Sequence, residues 1–431
     1  SQFSVLSSQF SVLSSQFFPM KLILTTLWRG LRKVIGALFL VQLGLIVILK
    51  IVRKVYPAPA RPEHLPPLQP PPTQLGTTQV QIYTTGATLF RDMLAAINAA
   101  QETILFETFL WHADDLGQQF KDTLIARARA GVQVYIIYDW MGNVMMPPAF
   151  RRFPALPTLH LLPYSSIRHQ PGYLLDPRRL GRDHRKILVV DGQVGFVGGY
   201  NIGALYQPWR DTQVCLCGPA ALDLAHAFAA FWNSYRGKLP ALPLPHGEWQ
   251  SDIRVYCNDR LQLIFPIRDM YIQAIQRAQK RIRVTQAYLA PDPPIINELI
   301  RAAARGVDVQ ILIPWPSNHF LPDWIGRRQF GRLLRGGIRI FGYIGPTLHA
   351  KTMTIDGQWS TIGATNLDRL SMIGMNEINV ELFDAELAAQ MEEIFARDCT
   401  SAREIRREAW EQRPWYWRVV EWLLAPLWPL V

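Results

Sequence analysis

His184-Arg-Lys186-Ile-Leu-Val-Val-Asp191-Gly-Gln-Val-Gly-Phe-Val-Gly198-Gly-Tyr-Asn201 and His349-Ala-Lys351-Thr-Met-Thr-Ile-Asp356-Gly-Gln-Trp-Ser-Thr-Ile-Gly363-Ala-Thr-Asn366 carry His, Lys, Asp, Gly and Asn at identical offsets. Residues 186–190 and 351–355 read as strands, in which positions two apart share a face, so each His projects with its Lys. Asp-Gly at 191–192 and 356–357 is a hairpin signal. It returns a second strand that brings Asn201 or Asn366 back toward its own His and Lys.

Two further blocks recur in the same order ahead of this one. Ala96-Ile97 with Ala100-Gln101 and Ile104 reappears as Ala274-Ile275 with Ala278-Gln279 and Ile282. Ala130-Gly131-Val132-x-Val134 reappears as Arg305-Gly306-Val307-x-Val309. The first block spaces its apolar residues as an amphipathic helix leading into a strand, and the second closes a helix at Gly before a strand. Helices alternating with strands, made twice, predict an α/β fold: two similar α/β/α layered domains with mixed central sheets related by pseudo-twofold symmetry.

Two such half-sites facing each other would enclose a phosphate between two cations and two histidines. A neutral imidazole can attack phosphorus to form a phosphohistidine while the opposite imidazolium protonates the departing alkoxide, and the roles reverse when the acceptor alcohol attacks. Lys186 and Lys351, with Asn201 and Asn366, would hold charge on the non-bridging oxygens. An acidic neighbour is needed to fix each histidine's tautomer, and Asp211 and Glu377 lie at comparable distances beyond the two motifs. Asp191 and Asp356 belong with the catalytic set as structural supports, although an Asp-Gly hairpin explains them almost equally well.

The 431 residues suffice for two well-filled cores, and 45 Lys plus Arg against 34 Asp plus Glu favour an anionic partner. Cys215, Cys217, Cys257 and Cys399 are too few and too scattered for a disulfide framework or a tetrahedral zinc site, and the nine histidines show no H-E-x-x-H arrangement. No metal or cofactor is expected. Residues 1–19 contain a heptapeptide echo, SQFSVLS twice over, unlike anything downstream and are set aside as an upstream segment. Over 20–56, an apolar run from Val34 to Leu49 flanked by basic residues predicts an N-terminal membrane helix. The proline-rich stretch 57–75 reads as an extended spacer, so the folded part is expected to begin near Gly76. The domains are then 76–238 and 250–411, joined by a second proline-rich linker at 239–249. A Trp-rich tail over 412–431 holds only Arg418 and Glu421 as charges from 414 onward and reads as interfacial, with packing onto the core as the alternative.

The chain resembles the phospholipase D superfamily, whose paired H-x-K-x(4)-D motifs stand at 184–191 and 349–356. Arg182-Asp-His-Arg-Lys186, Gly198-Gly-Tyr-Asn201-Ile, Trp209-Arg-Asp-Thr-Gln213 and Asn366-Leu-Asp368-Arg look like bacterial cardiolipin synthases. The resemblance covers roughly residues 80–430. It implies His184 as nucleophile, His349 as general acid, and the joining of two phosphatidylglycerols into cardiolipin plus glycerol. It also implies a bacterial inner membrane, with orientation open and the cytoplasmic face preferred. The second motif departs from the family in Gly363-Ala-Thr-Asn366, where a serine often follows the glycine, and in Leu370, where arginine is frequent. Those departures bear on acceptor choice. Hydrolysis to phosphatidic acid, a nuclease using the same histidines, and a catalytically silent membrane scaffold are the competing readings. The anchor and tail speak against nucleic acid, the intact duplicated motif against the scaffold; the oligomeric state is not readable.

Overall fold

The structure, a computed structural model, describes residues 68–165, 181–245, 252–315 and 320–424, together with isolated helical positions at 28, 30, 32 and 44. The chain separates into two compact units, 1–60 and 61–431, and the second holds both repeats. Apart from those four positions, the membrane helix expected over 20–56 lies outside the described residues. Among the described residues no helix is long and apolar enough to cross a membrane.

The first repeat runs β1 (Thr73–Leu75), β2 (Thr78–Thr85), α1 (Gly86–Ala99), β3 (Thr103–Thr108), α2 (Asp115–Arg129), β4 (Gln133–Asp139), β5 (Leu159–Tyr164), β6 (Ile187–Val190), β7 (Val194–Gly198), β8 (Arg210–Cys217) and α3 (Ala221–Tyr235). The second runs β9 (Ile253–Asn258), α4 (Pro266–Arg277), β10 (Arg281–Gln286), β11 (Leu289–Ala290), α5 (Pro293–Ala304), β12 (Asp308–Pro314), α6 (Phe320–Arg335), β13 (Arg339–Tyr343), β14 (Lys351–Ile355), β15 (Trp359–Gly363), β16 (Leu367–Asp368), α7 (Arg369–Ile373), β17 (Glu377–Phe383) and α8 (Ala385–Cys399). It is followed by β18 (Ala402–Glu404), α9 (Arg407–Glu411) and α10 (Trp415–Leu424).

Each repeat folds around an eight-stranded mixed sheet, ordered β1-β2-β8-β7-β6-β3-β4-β5 and β9-β17-β15-β14-β10-β12-β13-β18. Seven strands correspond one for one, with the same parallel and antiparallel neighbours. The eighth is an addition at opposite edges, β1 beside β2 in one sheet and β18 beside β13 in the other. Strands β6, β14 and β15 are buried at every position because both faces of the sheet are covered. Outward, α1 and α2 pack on the first sheet through Phe90, Phe120 and Leu124. The second sheet is covered by α4, α5 and α6 through Tyr271, Leu299 and Phe330.

The inward faces share one core. Val189, Val197, Val214, Phe228 and Trp232 of the first repeat cluster with Ile362, Ile378, Val380, Leu382, Leu387 and Met391 of the second. At about 25 cal/mol per Å² of apolar surface removed from water, a common core of this kind ties the repeats into one folding body.

The N-terminal end of the folded unit differs from the sequence expectation. The spacer read over 57–75 ends earlier than its proline content suggested: Thr73–Leu75, beyond the last proline, pairs with Thr78–Val80 through a turn in which Gly76 takes φ 57°. Gln390 in α8 donates to Pro71 O and to Thr73 Oγ1. The tail is divided between the two roles considered for it. Trp417 packs edge-to-face against Trp324 of α6, and Glu421 is buried against Arg413, whereas Trp415 and Trp422 stand outside at 74% and 71% exposure.

Candidate active site

Main-chain bridges between the repeats assemble the site. The strand approaching His184 pairs with the strand approaching Glu377: Asn376 N donates to Arg182 O at 2.9 Å and His184 N to Asn376 O at 3.0 Å. In the mirror arrangement Arg210 N donates to Thr347 O at 2.9 Å and His349 N to Arg210 O at 2.8 Å. Each bridge sets a histidine beside an acid from the other repeat. His184 Nδ1 lies 3.0 Å from Glu377 Oε1, and His349 Nδ1 lies 2.6 Å from Asp211 Oδ2. The two acids anticipated as tautomer-fixing groups are thus both in place, with partners crossed between the repeats.

Lys186 and Lys351 rise from the strand starts immediately after their histidines, and each ammonium donates to the carbonyl of the histidine two residues before it. Lys351 is wholly buried. Burial pushes Lys186 down to about 7, with Lys351 adding to the fall and Glu377 opposing it. Lys351 is likewise pushed down by burial, to about 8, against the pull of Asp211 and Glu377. His349 is pushed down to about 3 by burial and by Lys351, and His184 is held well below the usual imidazole range by burial, Lys186 and Lys351. Since each histidine senses the lysine of the other repeat, the four groups form one electrostatic centre. It is rich in positive potential and ready for an anion.

The two carboxyls differ. Burial lifts Glu377 to about 8, with Lys186 pulling against it, so it holds a proton at neutral pH. For Asp211 burial also acts upward, but Lys351, His349 and the Thr212 amide outweigh it and keep the group ionised, below its ordinary value. An imidazolium forms more readily at His349, which faces a carboxylate at 2.6 Å, than at His184, which faces a neutral acid.

Room for this pairing comes from a glycine. A Cβ at Gly199, just after β7, would stand 2.3 Å from Asp211 Oδ1. Arg210, whose backbone carries the second bridge, is held from its far side by Asp398 of α8, with Nε to Oδ1 at 3.0 Å.

The asparagines and aspartates of the two motifs take different positions. Asn201 Oδ1 accepts from Leu110 N at 3.1 Å, so the amide organises the loop after β3. Asn366 is buried, and its Oδ1 has no hydrogen-bond partner. Asp191 and Asp356, grouped above with the catalytic set, need correction. They stand at the opposite ends of β6 and β14 from the lysines, at φ 50° and 56°. Asp191 accepts from the amides of Gln101, Glu102 and Thr103, and Asp356 from those of Gln279, Lys280 and Arg281. They clamp the first residues of β3 and β10. Asp191→Ala should therefore cost about 1–3 kcal/mol of stability by orphaning three amides, while the folded fraction keeps its kcat. Denaturant titration alongside activity per folded molecule checks both halves.

Several site residues were given no role from sequence. Phe109 sets its edge against His184 with ring centroids 4.7 Å apart, and Trp209 does the same to His349 at 5.2 Å. Arg182 stacks over Phe109 and binds Asp139 at 2.9 Å. Arg182 and Trp209 stood inside the motifs that carry the family resemblance, two residues before His184 and Asp211, whereas nothing in the sequence marked Phe109.

The discharge of the lysines sets a pH dependence. Their positive charge is complete only well below 7 and is lost as pH rises through about 7 and 8. The kcat/KM of the free enzyme should accordingly fall on an alkaline limb in that window, while kcat falls at higher pH because a bound phosphate anion holds the protons on. Profiles of both constants from pH 5 to 10 check this, and a flat kcat/KM would contradict it.

A duplicated α/β fold that closes two imidazoles and two ammonium groups around one buried centre defines a class of enzyme built for exchange at an anionic phosphorus. Comparison with known proteins narrows the class. The family described as "Cardiolipin synthase, PLD-like domain" matches residues 93–207 and 271–399. Cardiolipin synthase A of Pseudomonas entomophila (strain L48) is 32% identical over 345 residues, covering 78% of this chain and 71% of its own length. The cardiolipin synthase of Geobacillus sp. (strain WCH70) is 31% identical over 366 residues, 81% of this chain and 72% of its own. Among solved structures, the phosphatidylserine synthase of Haemophilus influenzae Rd KW20 superposes with a TM-score of 0.62 over 81% of this chain and 92% of that one, at 13% identity, a likeness of fold alone. The chain belongs to the cardiolipin synthase-type phosphatidyltransferases of the phospholipase D superfamily.

Proposed function

We propose that the protein makes cardiolipin from two molecules of phosphatidylglycerol, releasing glycerol, through a phosphatidyl-histidine intermediate. The observation that carries this reading is the crossed pairing of two buried imidazoles with two acids around a shared pair of lysines. His184 Nε2 attacks phosphorus, the bond to the glycerol oxygen breaks, and that oxygen takes its proton from His349. A hydroxyl of the second phosphatidylglycerol then attacks phosphorus, gives its proton to His349 and frees His184. Lys186, Lys351, Asn201 and Asn366 bind the phosphate oxygens, the two asparagines by donating through Nδ2. The ionised Asp211 favours the imidazolium at His349, and Glu377, accepting from Nδ1–H through an unprotonated oxygen, leaves Nε2 of the uncharged His184 free to attack.

Depressed histidines suit the resting site and rise on binding. A phosphodiester brings a negative charge next to both rings, which opposes the two lysines and lifts His349 toward the range of a working acid. The outward face of α10, with Trp415, Val419, Trp422 and Leu423 exposed, supports work at a bilayer surface. We place the protein at the bacterial inner membrane, facing the cytoplasm. Detergent-solubilised protein incubated with phosphatidylglycerol should yield cardiolipin and glycerol by mass spectrometry, unaffected by EDTA. Cleavage of single-stranded DNA without lipid turnover would overturn the reading, and chelator sensitivity reversed by a divalent ion would contradict its chemistry.

A further inference from the structure

We propose that Trp209 is the residue that decides whether the phosphatidyl group passes to a lipid alcohol or to water, by walling a subsite for a polyol headgroup beside His349. The inference rests on the function proposed above. In both half-reactions the alcohol oxygen exchanges its proton with His349, so whatever borders that ring borders the leaving glycerol and then the acceptor hydroxyl. Its aromatic neighbours are Trp209, edge-on at 5.2 Å, and Tyr288 at 6.2 Å.

The Trp209 ring is fixed from two directions. It directly precedes Arg210 and Asp211, so the main-chain bridge that seats His349 also seats this indole. Behind it stands Tyr206, with ring centroids 4.8 Å apart, and the Tyr206 hydroxyl meets His112 Nε2 at 3.0 Å. Burial raises the Tyr206 phenol well above its ordinary range, so it stays a neutral hydrogen-bonding group. The supporting loop is pinned by Asp114, which accepts from Ala204 N at 2.7 Å and Gly117 N at 2.9 Å, and by the bridge between Trp111 and Ile202. A ladder of rings therefore runs from exposed His112 through Tyr206 and Trp209 to His349.

Among the described residues the ladder exists on one side only. By the correspondence of Asp211 with Glu377, the second repeat has Met375 where the first has Trp209, and His184 meets Phe109 instead. A twofold fold that needed only a scaffold would have no reason to differ here. The difference falls beside the histidine that handles the alcohol. Tyr206 is core and acts as a buttress, whereas Trp209 remains half-buried, with part of its surface open to a ligand. A flat apolar face there contacts the C–H groups of a glycerol headgroup and keeps bulk water from the P–N bond.

The test is the product ratio from phosphatidylglycerol vesicles, cardiolipin against phosphatidic acid, for the wild type, Trp209→Phe and Trp209→Ala. Loss of the ring should move the ratio toward phosphatidic acid by roughly tenfold or more, and Trp209→Phe should keep most of the transfer. A merely structural tryptophan would lower both products together, and an unchanged ratio in Trp209→Ala would overturn the inference. Should the alanine variant not fold, Trp209→Leu carries the same expectation. A wild type that forms neither product would overturn the functional reading itself, an outcome distinct from an unchanged ratio.

Discussion

Replacing either His184 or His349 by alanine should lower turnover of phosphatidylglycerol by at least about a thousandfold while leaving the protein folded. The two losses arise differently. Without His184 there is no atom to accept the phosphatidyl group, and without His349 the leaving alkoxide finds no proton. At neutral pH burial keeps both rings uncharged among cations. In acid they become a liability. His349 holds its folded value near 3 against an ordinary value of about 6.5 in the unfolded chain, so only the unfolded chain takes up a proton between those limits. Stability is present above about 6.5 and is lost as pH falls toward 3. Thermal unfolding at pH 7 and pH 5 should show the wild type losing more than His349→Ala does. An equal loss would mean that the ring is not buried neutral.

The second large effect is an asymmetry between the two acids. Asp211→Asn should cost on the order of 10³–10⁴ in kcat, because an amide can neither stabilise the His349 imidazolium nor enforce its tautomer. Glu377→Gln should cost about tenfold, since a neutral amide imitates the protonated acid that burial already maintains there. Steady-state kinetics on the two variants would decide. Equal losses would show Glu377 working as a carboxylate and would remove the grounds for assigning His349 as the acid. The reverse ranking would exchange the roles of the two histidines.

Much of this was legible in the chain itself. The constant interval between the two motifs announced a duplicated fold, because five residue types at fixed offsets leave little to chance. Asp211 and Glu377 were also visible as candidates. What could not be read was whose partner each would be, since that depends on strands of different repeats meeting at Asp183 and Asn376 and at Arg210 and Leu348. Asp191 misled because an Asp-Gly turn looks alike whether its carboxylate faces a substrate or the amides of Gln101 to Thr103. Proline density hid β1, although the three residues that pair lie beyond the last proline. Trp209 stood in plain view, and only the fold shows which histidine it borders.

Rapid-quench labelling tests the central claim most directly. Enzyme mixed with phosphatidylglycerol, quenched in cold denaturant at neutral pH to spare both the P–N bond and the acyl esters, digested and mapped by mass spectrometry should carry the phosphatidyl group on the peptide containing His184. It should be absent from His184→Ala. An adduct on the peptide containing His349, or turnover with no adduct on either, would contradict it.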